Sequence, residues 1–136
     1  MARLVVDTGF LVALYRRRDP LHAGALEFLC ENRAPLVTAA PVIVESCYFL
    51  HTTAKVELLD WVAKGGLTVA DVPVEAYPVL ARLLRRYATL DLDLADAALV
   101  WLADLLGEHR ILTVDERDFS ALRLKGKRRF ELVRWR

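Results

Sequence analysis

Two short apolar runs end alike, Val5-Val6-Asp7-Thr8 near the start of the chain and Leu112-Thr113-Val114-Asp115 near its end. In open α/β sheets ligands bind beyond the carboxyl ends of the strands, so two such Asp residues can converge on one crevice if their strands are neighbours. Asp is also common in turns and caps, and that reading stays open for either position alone. Glu45 lies among Val42, Ile43, Val44, Cys47, Tyr48, Phe49 and Leu50. A carboxylate in that company is expected to be partly desolvated, and must then be paired with an Arg, bound to a cation or protonated, unless its helix exposes it. Asp96 opens an apolar helix beside Ala95, Ala97 and Ala98, whose small side chains leave room next to the carboxylate. Asp93 shares its face three residues earlier and reads as the helix N-cap.

Four carboxylates brought within a few ångströms repel, and without a counter-ion some must stay protonated. A divalent cation removes that conflict. Oxygen-only ligands favour a hard ion, Mg²⁺ or Mn²⁺, held by few protein groups and several waters. The chemistry expected is metal-assisted attack of water on a phosphodiester. Other chemistries lack their residues. There is no Gly-Lys-Thr/Ser loop and no Gly-x-Gly-x-x-Gly after the first apolar run. Ser46 and Ser120 lack the glycines of a nucleophile elbow. His22, His51 and His109 are scattered and read as surface or boundary residues, and Cys30 and Cys47, without knuckle or redox spacing, read as small core residues.

The elements that must position these groups alternate. Arg3–Val6 reads as a buried strand leaving through a tight turn at Asp7-Thr8-Gly9, and 10–15 has the length of a helix. Helical periodicity returns over 21–29, a short strand follows at 36–38, and Pro41 suits the first turn of a helix running to Leu50. Further helices are expected at 56–63, ending at Gly65-Gly66, at 74–87, with Arg82, Arg85 and Arg86 on its polar face, and at 97–106, closing at Gly107. Strands are expected at 67–70, 111–114 and 130–133. Short apolar strands alternating with helices predict a parallel α/β sheet covered on both faces.

The 136 residues, 55% hydrophobic, suit one domain spanning 1–136. No apolar run is long enough for a membrane span, and Asp7 comes too early for a signal peptide, so a cytoplasmic protein is expected. A net charge of +1 excludes binding to nucleic acid by an overwhelmingly cationic surface. Two basic runs stand out, Arg16-Arg17-Arg18 and the seven Lys and Arg of the last 14 residues; each is either a phosphate contact or a solvated face.

These motifs, in this order and spacing, resemble the PIN-domain family, and in particular the VapC-type toxin ribonucleases of toxin–antitoxin pairs. The resemblance rests on Val5-Val6-Asp7-Thr8-Gly9, Val44-Glu45, Asp93-Leu94-Ala95-Asp96-Ala97, and Ile111-Leu112-Thr113-Val114-Asp115 followed by Asp118-Phe119. It implies a three-layer α/β/α sandwich with a central parallel sheet and an endoribonuclease using Mg²⁺ or Mn²⁺. It places Asp7, Glu45, Asp96 and Asp115 on the family's acidic positions, Asp7 and Asp96 foremost as ligands. Thr8 and Thr113 fall on supporting hydroxyl positions, and Asp93 and Asp118 on acidic positions around the site. In-line attack of water, positioned or deprotonated by Glu45 or Asp7, would leave 5′-phosphate and 3′-hydroxyl ends. An RNA substrate, a homodimer and a small antitoxin covering the site are implied as partners. The rival reading is a PIN-like module that holds RNA or protein without cutting. A haloacid-dehalogenase-type phosphatase would need an Asp where Gly9 stands, and a receiver domain would need an acidic pair before Asp7.

Overall fold

A computed structural model describes residues 2–136. Five short strands, β1 (Leu4–Val6), β2 (Leu36–Ala39), β3 (Thr68–Ala70), β4 (Arg110–Leu112) and β5 (Glu131–Leu132), form one sheet in the order β3-β2-β1-β4-β5. Every pairing is parallel, with Val5 opposite Val37 on one side and opposite Ile111 on the other. The β1, β2 and β4 runs are too apolar to tolerate water on either face, and helices cover both. These are α1 (Thr8–Tyr15), α2 (His22–Glu31), α3 (Ala40–Tyr48), α4 (Thr52–Ala63), α5 (Tyr77–Arg86), α6 (Leu94–Leu106) and α7 (Glu116–Ala121). The expected three-layer α/β/α sandwich is the observed fold. Among the described residues no helix is long and apolar enough to cross a membrane.

The core is continuous, running from Val5, Val6, Phe10 and Leu11 through Leu58 and Leu99 to Ile111, Leu112 and Phe119, all fully enclosed. Its topology locates a site. The chain builds outward from β1 through β2 to β3, then returns to the other side of β1 as β4, so the order reverses between β1 and β4. Parallel sheets bind ligands where the order reverses, beyond the carboxyl ends of the strands.

Several sequence expectations need correction. Cys30 is exposed and Cys47 only half-buried, because the outer faces of α2 and α3 carry apolar residues that the core does not cover. Gly9 lies inside the first turn of α1, and small size is what it supplies: a Cβ there would run into the Val114 side chain. The helix expected at 74–87 is a 3₁₀ turn at 74–76 followed by α5, with Pro78 at its start. Helix α7, started by Asp115, has too few apolar positions to show a period and was not foreseen. The last strand shrinks to Glu131–Leu132.

Candidate active site

Asp7 leaves β1 as the N-cap of α1. Its Oδ1 accepts from the Thr8 backbone N–H at 2.8 Å, and its Oδ2 accepts from the Thr113 hydroxyl at 2.7 Å. The side chain is almost fully enclosed, at 5% exposure. Burial pushes its pKa up to about 6 against those two hydrogen bonds, with the charges of Asp115 and Asp93 adding to the rise.

Three further carboxylates face it from other elements. Asp93 caps α6, its Oδ1 accepting from the Asp96 N–H at 2.9 Å, and Asp96 Oδ2 reaches back toward the Asp93 N–H at 3.4 Å, completing a capping box. The first turn of α6 is thus fixed by the same two acids that crowd the site. Asp96 is pushed up to about 8 by burial first, then by the charges of Asp7 and Asp93. Glu45, half-buried on α3, is raised to about 7 by loss of water, then by its closeness to Asp93 and Asp7, while the Thr8 hydroxyl acts the other way.

Asp115 follows β4 and caps α7 through Oδ1, which accepts from the Asp118 N–H at 3.1 Å, while its own N–H donates to Thr113 Oγ1 at 2.9 Å. It borders the group and raises Asp7, but one of its oxygens is engaged in capping. Asp118 lies beyond it, its pKa raised by burial and then by the Asp115 charge. The structure therefore gathers Asp7, Glu45, Asp93 and Asp96 most closely, with Asp115 at the border and Asp118 outside.

Among the described residues no basic side chain forms an ion pair with this group. The ion pairs among the described residues join Arg3 to Glu108, Arg16 to Asp19 and Arg136 to Glu116, so the arginine partner open to Glu45 in the sequence is absent. Nor do any three of these carboxylates, among the described residues, form a closed cage around a common point. The donors nonetheless fit Mg²⁺ or Mn²⁺ in kind. All are hard oxygens, and such ions are commonly held by one or two carboxylates with water completing the shell. One more observation fits: the buried Thr8 hydroxyl, close enough to Glu45 to favour its charged form, makes no well-formed hydrogen bond among the described residues, which leaves it open to a water or a ligand.

Beside the acids opens a cavity of about 710 Å³, walled by Val44, Glu45, Asp71, Tyr77, Asp93 and Leu94. A larger hollow of about 1260 Å³ lies between α1, α2 and α4, rimmed by Arg16, Arg17 and Arg18; Glu57 is the only acid lining it, so it is not the place of the chemistry. Ser46 is wholly buried and donates to the Val42 carbonyl at 2.7 Å, which removes it as a nucleophile.

Sequence reasoning passed over Trp135. Its indole N–H donates to the Thr113 carbonyl at 3.2 Å, and its ring meets Phe10 of α1 edge-on at 5.0 Å. The C-terminal segment thereby clamps the residue that holds Asp7. A lone Trp between two arginines at a chain end carries no periodic signal, so nothing short of the fold could have revealed it.

Comparison with known proteins bears on the family and the fold. A family profile described as PIN domain matches residues 4–125. Ribonuclease VapC26 of Mycobacterium tuberculosis is 32% identical over 134 residues, covering 96% of this chain and 99% of that protein. The crystal structure of Mycobacterium tuberculosis VapC20, described as a sarcin-ricin loop cleaving toxin, superposes with a TM-score of 0.80 at 22% identity, over 87% of this chain and 93% of that one. At that identity the superposition speaks to the fold.

Proposed function

The chain belongs to the PIN-domain family, and from that premise we propose that it is a divalent-cation-dependent endoribonuclease, the toxin of a toxin–antitoxin pair. The observation that carries this reading is the set of three carboxylates, Asp7, Glu45 and Asp96, supplied by three elements, all pushed up to between about 6 and about 8, and without a basic partner among the described residues. Acids in that state are suited to holding a cation and to exchanging protons near neutral pH.

Asp7 is the fixed member, both of its oxygens oriented by Thr8 and Thr113. With Asp96 it would hold Mg²⁺ or Mn²⁺ directly, and Glu45 and Asp115 would complete the metal site through water. A cation bound there supplies positive charge to the phosphodiester and Lewis acidity to water. Glu45 has the more open position, on the wall of the cavity, and takes the proton of the attacking water. Asp93 keeps the first turn of α6 in place and holds Asp96 in position. Attack in line with the departing 3′ oxygen leaves 5′-phosphate and 3′-hydroxyl ends. VapC26, 32% identical over nearly its whole length, is named a ribonuclease, which supports RNA as substrate. A cytoplasmic homodimer with a small antitoxin completes the proposal. The groove between α1, α2 and α4, with its apolar floor and arginine rim, suits an antitoxin segment.

The test is to incubate the protein and its Asp7→Asn variant with a mixed RNA pool in Mg²⁺, Mn²⁺ or EDTA. Cleavage by the native protein with either metal alone, ending in 5′-phosphates, is expected. Cleavage that survives EDTA or the Asp7→Asn substitution refutes the mechanism, and no cleavage under any condition refutes the activity.

A further inference from the structure

The basic face of α5 and the basic run near the end of the chain are about 40 residues apart in sequence, yet the fold joins them. Arg82, Arg85 and Arg86 share one exposed side of α5, Arg82 and Arg86 one helical turn apart. Arg86 lies over the Tyr87 ring at 5.4 Å, and the Tyr87 hydroxyl accepts from the Arg123 backbone N–H at 3.0 Å. Arg123 in turn bridges to Arg129 across a tight turn, closed by the Leu124 N–H donating to the Arg128 carbonyl at 2.8 Å. Buried Leu124 and Phe130 anchor the two ends of this turn. Between them Gly126 and Lys127 both take left-handed backbone conformations, at φ 73° and 62°, unusual for a lysine. The turn thus presents Lys125, Lys127 and Arg129 to solvent.

We propose that the arginine face of α5 and the 123–129 turn form one cationic surface that binds the phosphodiester backbone of RNA away from the cleaved bond. The inference rests on the ribonuclease reading for the identity of the ligand. None of these cations belongs to an ion pair among the described residues. Acids close to these segments include Asp104, whose carboxylate is engaged by the Lys125 N–H, and exposed Glu131, Asp91 and Glu75. The arginines of the last turn of α5 also complement the helix dipole, but Arg82 and the separate turn gain nothing from that dipole. An acidic protein partner is the weaker fit, because the 123–129 turn exposes no large apolar residue and the one that α5 exposes, Tyr77, lies at the opposite end of the helix from Arg85 and Arg86.

Position adds the substrate class. The turn leads into the start of β5, whereas the acids stand beyond the ends of β1 and β4. RNA touching both must extend well past the cleaved bond, which selects an extended or structured RNA over a dinucleotide. The net charge of +1 fits this division: an acidic centre that repels RNA needs its cations gathered elsewhere.

The experiment measures binding of a labelled RNA hairpin to metal-free Asp7→Asn protein as salt is raised, alone and combined with either of two triple substitutions. One is Arg82→Gln, Arg85→Gln and Arg86→Gln; the other is Lys125→Gln, Lys127→Gln and Arg129→Gln. Each triple is expected to weaken binding at low salt by about tenfold or more and to flatten the slope of log affinity against log salt by about 2, since each lost phosphate contact removes roughly 0.7 to 0.9. Lysine in place of the three α5 arginines should restore most of both. Melting temperatures establish that the variants fold, and single substitutions Arg85→Gln and Lys127→Gln give the same signs at about a third of the size. Unchanged affinity and slope in folded variants overturn the proposal, as does loss of poly-glutamate binding with RNA binding intact. Native protein that binds the hairpin with this salt dependence but never cuts RNA refutes the nuclease alone.

Discussion

Thr113 serves Asp7 with its side chain and Trp135 with its backbone, so one residue relays the end of the chain to the carboxylate at the end of β1. Trp135→Phe keeps an aromatic ring against Phe10 but removes the N–H and one of the two fused rings, which adds a packing loss of about 1 kcal/mol or more. We expect a stability loss of about 1 kcal/mol from the unpaired Thr113 carbonyl. A structural role would stop there; a positioning role raises the Mg²⁺ concentration giving half-maximal cleavage several-fold and shrinks the Mg²⁺-induced rise in melting temperature, both measurable on the same sample. Asp93 separates its two duties in a similar way. Asp93→Asn keeps a good cap and removes a charge, so metal-free protein should be as stable as native or more so near pH 8. Asp93→Ala loses the cap and should cost about 1 kcal/mol in urea unfolding. Equal stability of the two variants would show that the cap contributes nothing.

At the level of elements, the site exists because three helices begin close to the end of β1. Helix α1 starts directly on it, α3 follows β2 without a loop, and α6 is started by the Asp93 cap and closed by Gly107 in the left-handed region. Close seating of α1 against the end of β4 requires Gly9, since a methyl group would meet Val114. Gly9→Ala is therefore expected to destabilise the fold by about 1 to 3 kcal/mol and to lower cleavage more than a surface change of equal stability cost, because it shifts Asp7 and Thr8 against Thr113. A denaturation midpoint unchanged from native would contradict this packing. Helix α5 escaped an accurate reading for a related reason: its start at Tyr77 depends on Pro78 and the preceding 3₁₀ turn, which hydrophobic periodicity does not register.

For the whole molecule, the crowded acids link stability to pH. Asp7, Glu45 and Asp96 titrate higher in the folded state than their ordinary values near 4, so between about pH 4 and 8 the native state holds more protons than the unfolded one. Their stabilising protonation is fully present below pH 4 and is lost as pH rises through about 6, 7 and 8, so these groups make metal-free protein less stable as the solution turns alkaline. Divalent cations bound at these carboxylates would act with the opposite trend, because binding would displace those protons. Millimolar Mg²⁺ should therefore raise the melting temperature more at pH 8 than at pH 5.5. An equal rise at both, or none, would mean that the carboxylates do not bind the ion.

Composition and pattern alone determined the parallel α/β class, the strand ends at Asp7 and Asp115, the Asp93 cap and the candidate acids, because apolar runs that end in a carboxylate leave a local signature. Distances between segments were beyond reach. Only the tertiary structure placed β4 beside β1, left Glu45 without an arginine, exposed Cys30, brought Trp135 onto Thr113 and joined the α5 arginines to the 123–129 turn. Contacts of that kind depend on how whole layers pack, and a residue carries no local mark of a neighbour that folding alone will bring to it.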